Sequence, residues 1–149
     1  MTGQLLNTPA EVIRDFIIAA GFMTDPSDGS SWPLYISSLP DGATNAGVLM
    51  DAPGWKNGRL SSTGLVIEHY GLVLKIRSRD YNAGFVKIEA MTLDLDEVDK
   101  DNIVVGGQTF ELTNISRVEP IKSLGTEPES TKRRFFFESS FLVTMKNIT

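Results

Sequence analysis

The sequence predicts an α+β domain in which two helices pack on one mixed, mostly antiparallel β-sheet. Two observations predict it. Apolar residues recur at helical spacing in two stretches, one near the N-terminus and one in the middle of the chain. Between and after them run short stretches of period-two alternation set off by Gly, Pro, Asn and Asp, so that the order is helix, strands, helix, strands.

The first helix covers residues 8–20. Thr8-Pro9-Ala10-Glu11 has the spacing of a capping box, and Pro9 falls at the first helical position, where a missing N–H costs nothing. Val12, Ile13, Phe16, Ile17 and Ala20 form one apolar stripe, and Gly21 suits a left-handed cap. Residues 24–31, TDPSDGSS, are a loop by composition. A short strand follows over 32–39, with Pro33 marking its start or a free edge, and a second over 46–52 after the turn PDGATN.

From Gly64 a long strand pattern begins. Leu72, Leu74 and Ile76 point one way, and Val73, Lys75, Arg77 and Arg79 the other, so one face meets the core and the other meets water or a partner. Asn82 is a candidate cap for a second helix over about 83–97, where Phe85, Ile88, Met91, Leu95 and Val98 recur at helical spacing. Gly106-Gly107 between two apolar runs reads as a tight hairpin turn. Residues 119–133 read as a long polar loop, and the aromatic, β-branched run from Arg133 to Asn147 as the last strand.

The 149 residues suggest one domain over 1–149, large enough to bury roughly 70% of its unfolded surface without staples. The absence of cysteine rules out disulfides and thiolate metal sites. A net charge of −5 argues against a dedicated nucleic-acid binder. The N-terminus has neither a basic start nor a long apolar run, and no stretch is long and apolar enough to span a bilayer. The expectation is a soluble cytoplasmic product without a membrane partner.

Four motifs invite chemistry. Asp51-Ala52-Pro53-Gly54 after an apolar strand looks like the second phosphate-loop signature of many GTPases, but no Gly-Lys-Ser or Gly-Lys-Thr stands anywhere to cradle phosphates. Pro53-Gly54 therefore reads as a turn. The acidic run 94–102 fails the EF-hand pattern, since its positions 5 and 6 would be Val98 and Asp99, and reads as a solvated helix end. His69, the single histidine, has no G-x-S-x-G nucleophile elbow to serve and suits a structural place in a strand. The stripe Lys75, Arg77, Arg79 is either a solvated sheet face or a contact face for an acidic partner. Arg133 and Arg134 add a second basic spot, and Phe135, Phe136 and Phe137 alternate faces, so at least one should leave the core side. Trp32 and Trp55 sit at loop edges, as core lids or as contacts.

As a succession of blocks the chain resembles the tail terminator, or tail completion, proteins of long-tailed bacteriophages, often labelled minor capsid or minor tail proteins. The blocks are the capped N-terminal helix ending at Gly21, WPLYISSLPD, the DAPG turn, GLVLKIRSRDYNAGF leading into the long helix, the Gly-Gly hairpin, and LGTEPESTKRRFFFES before the last strand. They cover most of the chain, with KIRSRDYNAGF the most specific and RRFFFES second. The resemblance implies helices on a mixed sheet and a hexameric ring at the head-proximal end of the tail tube. Such a ring stops tube polymerisation, presents a surface to a neck or head-completion protein, and lets genomic DNA pass without reading its sequence. It implies a virion protein of the head–tail junction, assembled in the host cytoplasm, with no cofactor, metal or catalysed reaction. The protein contacts expected on this reading are Lys75, Arg77, Arg79, Arg133, Arg134, Phe135, Phe137 and Trp55. The alternatives are another neck protein of the same phage, a small nucleotide-binding enzyme or hydrolase using His69, and a host-targeted binding module.

Overall fold

A computed structural model describes residues 5–28, 31–42, 44–56, 68–126 and 134–148, except the side chains of Trp55, Lys56 and Glu68. Its order is α1 (Pro9–Ala19), β1 (Leu34–Ile36), β2 (Ala46–Lys56), β3 (Glu68–Ser78), α2 (Tyr81–Asp96), β4 (Asp99–Val105), β5 (Gln108–Arg117), β6 (Lys122–Thr126) and β7 (Phe135–Asn147). The fold is α+β with a mixed, mostly antiparallel seven-stranded sheet: among the described strands only β1 and β2 run parallel.

Helix α1 begins as its sequence dictates. The Thr8 hydroxyl accepts from the Glu11 backbone N–H at 3.2 Å, and the Glu11 carboxylate accepts from Thr8 N at the same distance. Gly21 takes φ +86°, the left-handed conformation that ends the helix cleanly. Helix α2 starts two residues earlier than its apolar spacing implied. Its cap is Asp80, whose carboxylate accepts from Asn82 N, so Asn82 lies inside the first turn.

The strand order is β1-β2-β3-β7-β5-β4, with β6 beside β7. Leu72, Leu74, Ile76, Phe137, Phe141 and Val143 share the inner face and are buried beneath the helices. The alternating residues of β7 on the other face, from Phe136 to Thr144, are half-buried, as expected of a sheet with one solvated side. Helix α1 touches β1 and β2 and also β4, at opposite ends of the sheet. Six flat strands would hold those ends about 24 Å apart, so the sheet curls around α1. The Asn7 side chain donates to Val105 O across the gap at 3.2 Å. Gly106 and Gly107 both have positive φ, +57° and +81°, as a two-residue hairpin turn requires.

Two loops expected from the sequence are strand instead. Strand β2 continues through Asp51-Ala52-Pro53-Gly54, and the predicted turn is a β-bulge between Ala52 and Trp55. A Cβ on Gly54 would stand 1.9 Å from the His69 carbonyl oxygen, so only glycine lets the bulged strand lie this close to β3. Pro53 fits because a bulge leaves a residue outside the ladder. The second is part of the polar segment 119–133: Lys122–Thr126 pairs with β7, and residues 127–133 lie outside the described residues. Strand β5 covers β7 only as far as Phe141, and β6 fills the edge that remains along Phe135–Glu138. All five β6 residues are exposed, so no alternation marks them in the sequence.

Candidate functional site

The two most specific sequence blocks meet in space. KIRSRDYNAGF spans the end of β3, the Asp80 cap and the start of α2, and RRFFFES leads into β7 beside it. Tyr81 meets the rings of Phe135 and Phe137 at 5.5 and 5.2 Å between centroids, and Phe85 meets Phe137 at 6.1 Å. Gly84 makes this approach possible. A Cβ there would come within 2.8 Å of Ser78 Cβ and 3.0 Å of the Phe137 ring. The aromatics thus clamp the first turn of α2 onto the sheet.

The three phenylalanines alternate as expected, and Phe136 is the one on the outer face. Phe137 is 1% exposed and belongs to the core, so its side chain offers nothing to a partner of the folded chain. Phe135 is half-buried against Tyr81. The Phe136 ring lies under the Lys75 ammonium at 5.1 Å, a cation–π contact that the partial burial of both strengthens.

The basic stripe on β3 is broken at its centre. Lys75 is half-buried opposite Glu138, and Arg79 is exposed, its backbone N–H bonded to the Asn45 side chain. Arg77, expected to face water or a partner, is instead 3% exposed, and its guanidinium donates to Pro40 O. Arg134 is 2% exposed and donates to Asp41 O at 2.6 Å and to the Asp41 carboxylate at 2.9 Å. Ala46 and Val48, on the same face as Arg77, are buried too. The chain around Pro40 and Asp41 therefore folds over this corner of the outer face, and the two arginines tie its carbonyls to the sheet. Arg133 and the side chain of Trp55 lie outside the described residues.

Asp51 has a role that phosphate chemistry would not have revealed. Its carboxylate accepts from Ala10 N at 3.2 Å, placing a negative group at the N-terminal end of α1. His69 Nδ1 and Thr144 Oγ1 are 2.7 Å apart across β3 and β7, a hydrogen bond within the sheet. Among the described residues no group of three His, Asp or Glu side chains is placed to hold a metal ion, and no helix is long and apolar enough to cross a membrane.

Sequence patterning did not identify the outer side of α2 as a surface. Val86 and Leu93 are 55% and 51% exposed there, and Tyr81 and Phe85, at the edge that meets β7, are 52% and 41% exposed. Phe85 belongs to the core stripe that the helical spacing predicts, and it sits at that stripe's edge. Val86 and Leu93 lie seven residues apart, off the stripe formed by Ile88, Met91 and Leu95, and that offset was the available signal. Lys87, on the flank facing α1, donates to Phe22 O at 2.7 Å and lies 5.1 Å from the Trp32 ring centroid. Burial there pushes its ammonium below the usual lysine range.

No protein-family model matches the chain. No curated protein matches it either. Among solved structures the chain is similar to one from the virion of a native gene transfer agent (GTA) particle. The two share 10% identity at a TM-score of 0.47, over 76% of this chain and 78% of that one. At that score the likeness fixes neither fold nor role.

Proposed function

We propose that this chain is a structural virion protein of a long-tailed phage, a single tail-terminator-like domain. In this reading it forms a ring, six copies in all, at the head-proximal end of the tail tube. It stops polymerisation of the tube protein and gives the neck or head-completion protein a surface to join. DNA passes through the ring without being read. The chain catalyses nothing and needs no cofactor.

The observation that carries the reading is the junction of the two most specific blocks of the resemblance. KIRSRDYNAGF and RRFFFES, separated in sequence by the 47 residues 86–132, build one unit in which α2 is clamped on β3 and β7 through Tyr81, Phe85, Phe135 and Phe137. Blocks that resemble a family separately and pack together locally support that family's architecture more strongly than either block alone. The surface supports it as well. A ring subunit needs two different contact patches plus further ones above and below, and this domain exposes Leu6, Val104, Val118 and Leu124 besides the apolar side of α2. Lys75, Arg79 and Arg133 remain proposed contacts to a subunit or the tube. Arg77 and Arg134 act in this account through the loop they hold, and Phe135 through the placement of Tyr81.

Native mass spectrometry of the purified chain, alone and after mixing with tail-tube protein, tests the ring. A closed species of six times the 16.4 kDa chain mass is the expected result. A monomer or a two-fold dimer under both conditions contradicts it.

A further inference from the structure

We propose that neighbouring copies in this assembly pack flank to flank, with the outer side of α2 from one copy seated on the outer face of the sheet of the next, around Val73 and Leu142. The inference rests on the ring reading and adds to it the surfaces that meet.

The argument starts with α2. A helix covering one sheet needs a single apolar stripe, and Ile88, Met91 and Leu95 supply it, all at most 2% exposed. Val86 and Leu93, seven residues apart, lie on the side turned away from the sheet, and the part-exposed rings of Tyr81 and Phe85 extend that apolar surface to the edge where they touch Phe135 and Phe137. Two exposed aliphatic side chains continuous with two part-exposed rings make a patch of the kind that another protein covers.

The opposite flank is the outer sheet face. It carries Val73, Phe136 and Leu142 half-buried, an apolar strip that no described helix covers. The two flanks therefore lie on opposite sides of the molecule, one outside the helical layer and one behind the sheet. Their charges are opposite in sense. The outer α2 flank carries Glu89, Asp96 and Glu97, with Arg117 bound to Asp96 at 3.6 Å, while Asp94 lies on the Lys87 side. The sheet flank carries Lys75, Lys122, Lys146 and the exposed Arg79, with Glu138 opposite Lys75, Glu119 bound to Lys122 and Glu111 bound to Lys146, four positive charges to three negative. Acidic–apolar on one flank and basic–apolar on the other is the complementarity that a heterologous, ring-closing contact needs. A two-fold contact of α2 on α2 would set its carboxylates against each other.

The chain has no cysteine, so single introduced thiols report the contact without background. Val86→Cys and Val73→Cys are each made alone and treated with a short bismaleimide, separately and mixed one to one, with and without tail-tube protein. The proposal predicts a covalent dimer in the mixture and none from either variant alone. A Val86→Cys homodimer would replace it with a two-fold helix contact. An assembly intact by native mass with no cross-link in the mixture would remove α2 from the subunit boundary and leave the ring reading standing. Absence of any assembly would sink the ring reading and this contact with it. As a second readout, Leu93→Glu is expected to abolish assembly while leaving the circular dichroism spectrum and Tm of the free chain unchanged. Assembly at wild-type level in that variant would overturn the proposal.

Discussion

Ser139 sits in the core between Phe137 and Phe141, 2% exposed, and among the described residues its hydroxyl has no hydrogen-bond partner. A buried hydroxyl left unpaired costs stability that an alanine would not. Ser139→Ala should raise stability by about 1 kcal/mol in urea unfolding, and a drop would show that the hydroxyl finds a partner. The arginines differ from each other for the same kind of reason. Arg134→Met removes the two bonds that tie the exposed Asp41 to the sheet, and because water can solvate the freed Asp41 oxygens it should cost about 1 kcal/mol. Arg79 is exposed, and Arg79→Ala should stay within about 0.5 kcal/mol. Equal effects at the two sites would contradict their assignment as a loop clamp and a surface charge. Asp25 gives a pH-dependent case. Its carboxylate accepts from Ser27 N at 2.9 Å and from Ser27 Oγ at 2.8 Å, and these bonds hold its pKa below 3.8. A folded-state pKa below the unfolded one contributes stability above the unfolded value and loses it as pH falls through the folded one. An NMR titration should therefore place the Asp25 midpoint below 3.8, and Ser27→Ala should move it upward.

Elements with strong local signals were legible in the sequence, and elements defined by their neighbours were not. The capping box of α1, the positive φ at Gly21 and the Gly-Gly hairpin follow from a few adjacent residues whose chemistry permits little else. Strand β6 depends on an open edge of β7 whose residues stand nine to sixteen positions further along, and no pattern in KSLGT announces it. The continuation of β2 through Pro53-Gly54 was equally hidden, because a proline–glycine pair has the same composition in a turn and in a bulge. The bulge makes its own prediction. Gly54→Ala pushes a methyl against the His69 carbonyl and should cost about 1–3 kcal/mol or more; a free turn at that place would accept alanine with little loss. The candidate site was legible as composition and misjudged as exposure. Lys75, Arg77 and Arg79 do alternate on one face, but whether a strand face meets water depends on which loop folds over it, here the Pro40–Asp41 chain on Arg77.

The whole molecule couples a stable frame to spare surface. Its curled sheet closes around α1, its aromatic clamp fixes α2, and α2 keeps an apolar side turned outward. A small domain that leaves large side chains exposed on a clamped helix is suited to permanent assembly, since the surface is preformed and little order is lost on contact. The reading as a tail terminator makes assembly with the tail tube its central claim. The most direct measurement mixes the purified chain with the tail-tube protein of the same phage and reads tube length by electron microscopy. The account predicts shortened tubes with a ring at one end, their length falling as the ratio of this chain to tube protein rises. Tubes of unchanged length with nothing bound at either end would contradict it.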